Sequence, residues 1–149
     1  MGKFFLISIL PALLSKNFPK IGRFLWTINK KDINIWSMFK KELQALQHLK
    51  KSLRGTIGNE LITLAAFGSR VRGDFRWDSD LDILIIVNKS SLKKEKVIRE
   101  IVYSEGERLN ILYSVIIRGK EEFDMEKRHK TPFYTAVMRE GMILYGRRS

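Results

Sequence analysis

Two short apolar runs bracket a polar connection between Leu61 and Val87, and this pattern constrains the fold more than any other part of the chain. The first run, Leu61-Ile62-Thr63-Leu64-Ala65-Ala66-Phe67, stops abruptly at Gly68-Ser69. After ten intervening residues, Asp80-Leu81-Asp82 leads directly into the second run, Ile83 to Val87. Both runs are rich in strand formers and short for helices, so buried strands are expected. Residues two apart in a strand project from one face, which puts Asp80 and Asp82 on the same side. Neighbouring carboxylates repel, and a fold keeps such a pair when something neutralises it. A divalent cation does this. Mg²⁺ takes one or two carboxylates and completes its shell with water and substrate phosphates.

If the connection folds back, the end of the first strand lies beside the start of the second. Gly68 would then admit a phosphate close to the backbone. Ser69 is expected to cap a short helix from about Arg70, with free N–H groups facing the anion. Either motif alone is common and suits a solvated turn. At this spacing, with an apolar strand on each side, the two together favour a metal–phosphate site. Arg70 and Arg72 are the candidates for contact with a triphosphate, because a guanidinium matches phosphate with two parallel hydrogen bonds. Arg76 is expected in a solvated charge run, Phe75 and Trp77 in packing under the loop, and Asp78 as a loop or capping residue.

With 149 residues, 44% of them hydrophobic, the chain suits one domain around one core. Lys plus Arg exceed Asp plus Glu by 28 to 16, a formal charge of +12. Such a charge favours polyphosphates and nucleic acids alike, and it equally fits a lysine-rich surface. The absence of cysteine excludes disulfides and thiolate metal sites, and His48 and His129 are too few for a zinc constellation.

Residues 1–37 differ from the rest. Lys3 precedes an apolar stretch, Phe4 to Leu14, that is too short to span a bilayer comfortably. This segment is expected either to be a membrane-surface extension, with Phe24, Leu25, Trp26 and Trp36 as interfacial aromatics, or to precede a true start at Met38, the preferred reading. The domain is accordingly expected over 38–149. Phe39, Leu43, Leu46, Leu49 and Leu53 form the apolar stripe of a helix, with Lys40, Lys41, Glu42, Lys50 and Lys51 on its polar remainder and Gly55 and Gly58 as stops. Asn88 to Ser91 offers a turn and an N-cap. Val97, Ile98, Ile101 and Val102 then mark a helix ending at Gly106, followed by a strand from about Leu109 to Ile117. Gly119 leads into a charged helix, Lys120 to Lys127. Thr131-Pro132 opens a last helix that Gly141 ends, and Met142 to Tyr145 makes a short strand.

Gly68, Ser69, Asp80 and Asp82 spell G-S-x(10)-D-x-D, which resembles the signature of the DNA polymerase beta-like nucleotidyltransferase superfamily. Arg70, Arg72, Gly73 and Ser79 make the stretch look most like the minimal nucleotidyltransferases of the antitoxin type, a resemblance that runs from about Phe39 to Tyr145. It implies an α/β (α+β) nucleotidyltransferase fold, a mixed central β-sheet flanked by helices. It also implies Mg²⁺-dependent transfer of a nucleoside monophosphate, AMP from ATP or the equivalent from another nucleoside triphosphate. Asp80 and Asp82 would be the catalytic, metal-binding residues, and Gly68, Ser69, Arg70 and Arg72 the phosphate-binding ones. The implied partner is a HEPN-type toxin, a ribonuclease modified on a tyrosine, in the cytoplasm. No specific nucleic acid is expected, and membrane contact only through residues 1–37.

One departure stands out. Active members of the superfamily usually carry a third acidic residue on a later strand, and here Asn110 and Ser114 are the neutral residues expected on that face. The departure bears on catalysis and leaves nucleotide binding intact. It keeps open a non-catalytic protein that occludes its partner. A modifier of small molecules also remains, although that usually needs a second domain.

Overall fold

A computed structural model describes residues 32–72 and 78–146, with side chains from Lys40 onward. The readings made for residues 1–31, for the side chain of Trp36, and for Phe75, Arg76 and Trp77 lie outside the described residues. The chain divides into two compact units, Met1–Lys40 and Lys41–Ser149. The second unit holds the sheet.

Its centre is a four-stranded sheet in the order β3-β2-β1-β4, built from β1 (Leu61–Phe67), β2 (Leu81–Val87), β3 (Tyr113–Gly119) and β4 (Met142–Gly146). β1 runs antiparallel to β2 and β4, whereas β2 and β3 are parallel. A parallel pair needs a long crossover, and α3 (Leu92–Leu109) supplies it. The sheet is therefore mixed and helix-flanked, as the resemblance implied.

Alternation along the strands fills two cores. Leu81, Ile83, Ile85 and Val87 of β2 join Leu64 and Ala66 of β1 against α1 (Asp32–Ile57) and α3. Leu84 and Ile86 face the other way, towards Phe123 of α4 (Lys120–His129) and Phe133 and Val137 of α5 (Pro132–Glu140). Both inner strands are covered on both faces, which is why their sequences are nearly continuous in apolar residues.

Leu46, Leu49 and Leu53 of α1 are at most 1% exposed, as a leucine stripe facing the sheet requires. Leu49→Ala is expected to cost about 2–5 kcal/mol by the usual penalty for a buried leucine, read as a lowered denaturation midpoint at unchanged m-value. The helix passes Gly55 and ends at Ile57, and Gly58, at φ +51°, supplies the left-handed turn that breaks it. Two further boundaries differ from the sequence expectation. α3 does not stop at Gly106. That glycine is buried inside the helix, where a β-carbon would press on the Ile111 carbonyl and the Tyr113 ring. The stop is Asn110, at φ 52°, with its N–H returning to Glu107 O and that of Ile111 to Gly106 O, a Schellman ending. β3 consequently begins at Tyr113 and not near Leu109. Ser91 and Thr131 cap α3 and α5 by accepting from the N–H groups of Lys94 and Tyr134.

Candidate functional site

β1 ends and β2 begins at the same edge of the sheet, with Phe67 opposite Asp82 in the antiparallel register. Gly68 follows at φ +83°, a conformation open to glycine and strained for other residues. Its missing side chain has a second consequence. The Oδ2 atom of Asp82 stands where a β-carbon on Gly68 would be. The two halves of the sequence motif are thus in contact. Asp82 lies on the side of β2 that carries Leu84 and Ile86, the side covered by α4 and α5.

In the parallel register with β3, Asp82 is paired with Ser114, whose hydroxyl hydrogen-bonds its carboxylate. Burial holds the Asp82 carboxyl above its ordinary range. The Ser114 bond lowers it, the charge of Asp80 raises it further, and Arg72 lowers it. Asp80 is exposed and sits one residue before β2, so only Asp82 is on the strand itself. Ser114 therefore occupies the place beside the pair. Asn110 does not share that strand face. It is the left-handed residue ending α3, three positions before β3 starts, because the helix runs one turn longer than its glycine suggested.

Ser69 is the first residue of α2 (Ser69–Arg72) and not the cap before it, because the turn closes one residue earlier, with Arg72 N donating to Gly68 O at 3.0 Å. One turn is too short to hold itself. Its arginines fasten it on both sides. The Arg70 guanidinium forms an ion pair with Glu42 of α1 and donates from Nε to the Ser79 carbonyl. Arg72 reaches Glu140 at the end of α5, 2.9 Å away, and Arg72 and Arg139 together hold that carboxyl below its ordinary value. Arg70, expected from the sequence at the phosphates, meets Glu42 and the Ser79 carbonyl among the described residues, while Arg72 is close enough to act on Asp82.

Glu42, like Asn110, lies elsewhere than the sequence suggested. Assigned to the polar side of α1, it is only 7% exposed. The signal was present, because 42, 46, 49 and 53 follow one another at helical spacing on a single face. Removing one member of such a buried pair typically costs about 3–5 kcal/mol, since the other charge is left uncompensated.

Among known families, the chain matches the model of the nucleotidyltransferase domain over residues 39–133, well over half its length. It belongs to the nucleotidyltransferase family. Two relatives in Methanocaldococcus jannaschii carry the names "Putative protein adenylyltransferase MJ0141" and "MJ0604". The first is 32% identical over 52% of this chain and 80% of its own. The second is 27% identical over 70% of this chain and 98% of its own. Among solved structures, the spectinomycin adenyltransferase AAD(9) of Enterococcus faecialis shares the fold at a TM-score of 0.55 and 19% identity, over 72% of this chain and 57% of that one. An MntA–HpeT toxin–antitoxin structure aligns at 0.49 and 17% identity, over 68% and 73% of the two chains.

In this nucleotidyltransferase, Asp80 and Asp82 could hold a divalent cation. The donors at the site are hard oxygens: two carboxylates and the Ser114 hydroxyl. Repulsion and burial already weigh on the Asp82 charge, so a cation there would relieve both. Among the described residues no three or more Asp, Glu, His or Cys side chains gather to form a self-sufficient metal cage. That composition suits Mg²⁺, which draws its remaining ligands from water and phosphate.

Proposed function

We propose that this nucleotidyltransferase transfers AMP from ATP to a hydroxyl group of a protein, a tyrosine of a HEPN-type toxin, as the antitoxin of a toxin–antitoxin pair in the cytoplasm. The observation that carries the reading is the contact of Asp82 with Gly68, which joins a carboxylate pair to a turn without a side chain. Gly68 leaves room for the phosphate chain at the backbone, and the Ser69 hydroxyl and Arg72 guanidinium are its donors. Asp80 and Asp82 would hold Mg²⁺, which supplies charge neutralisation for the triphosphate when bound. An acceptor oxygen then bonds to the alpha phosphorus, the bond to the bridging oxygen breaks, pyrophosphate departs, and the hydroxyl proton passes to water. The protein's share is positioning and electrostatic preorganisation. A protein acceptor is supported by the names of the two archaeal relatives and by the resemblance of the central motif.

One observation favours a second reading. Ser114 stands beside Asp82 where active members usually carry a third carboxylate, so the chain could silence a partner by occlusion alone. Incubation with alpha-labelled ATP, Mg²⁺ and the product of the neighbouring gene separates the two. Label on that partner, lost in Asp80→Asn, is the expected result. Inhibition of the partner without label, surviving Asp80→Asn, would establish occlusion instead.

A further inference from the structure

We propose that Arg70 is a positioning residue for Asp80, tying the backbone just before that carboxylate to the buried Glu42 of α1. This inference rests on the metal–nucleotide reading of the site given above. Asp80 is exposed and has no strand partner of its own, so its place depends on its neighbours. On one side, Leu81 is buried and its N–H donates to Leu112 O at 2.8 Å. On the other, the Ser79 carbonyl accepts from Arg70 Nε. The same guanidinium is paired through its other arm with Glu42, and the two side chains are only 13% and 9% exposed. A planar fork can serve two acceptors in fixed directions at once. The fork thus carries the rigidity of α1, packed on the sheet by Leu46, Leu49 and Leu53, into the residue adjacent to Asp80.

Mg²⁺ demands near-ideal geometry, so a ligand released by a fraction of an ångström binds it less well. Groups that orient metal ligands typically change metal affinity by about 10- to 100-fold when replaced. Glu42 would otherwise be a buried carboxylate without purpose at the core's edge. In this account it is the anchor of the strut.

Arg70→Lys keeps the charge opposite Glu42 but loses the fork, and Glu42→Gln keeps the shape but loses the anchor. Binding of Mn²⁺ by the full 149-residue chain, followed by electron paramagnetic resonance of the free ion, measures the metal site without turnover. Thermal melting is recorded alongside to confirm that each variant is folded. Arg70→Lys is expected to weaken Mn²⁺ binding about 10- to 100-fold. Its kcat should recover at high Mg²⁺ while the KM for ATP stays near that of the wild type, and Glu42→Gln should shift in the same direction by less. Wild-type Mn²⁺ affinity in folded Arg70→Lys overturns the proposal, as does a raised KM for ATP at unchanged metal affinity, which would put Arg70 on the phosphates. If the wild type binds Mn²⁺ and Asp82→Asn does not, failure of the strut leaves the site reading standing. A folded wild type that binds no Mn²⁺ overturns both.

Discussion

Gly68→Ala is expected to lower transfer activity by at least about 100-fold, the scale on which misplacement by an ångström acts at a reacting centre. Two independent effects converge at this position. The backbone at φ +83° must either strain or rearrange to accept a side chain. Left-handed geometry in a non-glycine residue costs about 1–2 kcal/mol. The new methyl group would also collide with the Asp82 carboxylate, which cannot retreat without leaving Ser114. Stability and activity should therefore fall together, seen as a lower melting temperature and a reduced rate in one preparation. Alanine at Gly55, where no atom lies within 4 Å of a β-carbon and the residue is helical, is the matched control and should leave activity unchanged.

Asp82→Asn should separate the two quantities. Loss of a carboxylate ligand is expected to reduce transfer about 1,000-fold, equivalent to about 4 kcal/mol of barrier at 1.36 kcal/mol per factor of ten. The metal-free protein should become no less stable, and more so at neutral pH. Burial raises the Asp82 carboxyl above its ordinary value of 3.8, with Ser114 opposing, Asp80 reinforcing and Arg72 opposing. A raised folded-state value means that the folded chain holds this proton more tightly than the unfolded one. The stability tied to the protonated group is then complete below 3.8 and is lost as the pH rises through the raised value. At neutral pH the wild type bears that cost in full, and asparagine removes it. Melting curves of both proteins in EDTA from pH 4 to pH 8 check the sign. The gap in favour of Asp82→Asn should open as the pH rises.

The strands, the helix caps and the meeting of Gly68 with Asp82 were legible because each follows from local chemistry. An apolar run stopped by glycine, or a helix opened by Ser91 or Thr131, needs little information from afar. Three features were not. Glu42 looked polar because its charge outweighed its periodicity, and the guanidinium of Arg70, 28 residues away in the sequence, makes its burial tolerable. Gly106 looked like a helix stop, whereas it is glycine because the Ile111 carbonyl and the Tyr113 ring crowd it. That misreading carried Asn110 onto the strand. The bonds of Arg70 to Ser79 and Glu42 were not legible, because locally Arg70 shows only a guanidinium suited to phosphate in the turn nearest Ser69. In each case the deciding contact lay outside the pattern being read, just past the helix for Gly106 and across the fold for Glu42.

A crystal of the wild-type protein soaked with Mn²⁺ and a non-hydrolysable ATP analogue addresses the central claim most directly. The account predicts an anomalous peak between the carboxylates of Asp80 and Asp82, with the phosphate chain lying against Gly68 and Ser69. Manganese bound elsewhere, or a nucleotide seated away from that turn, would contradict it.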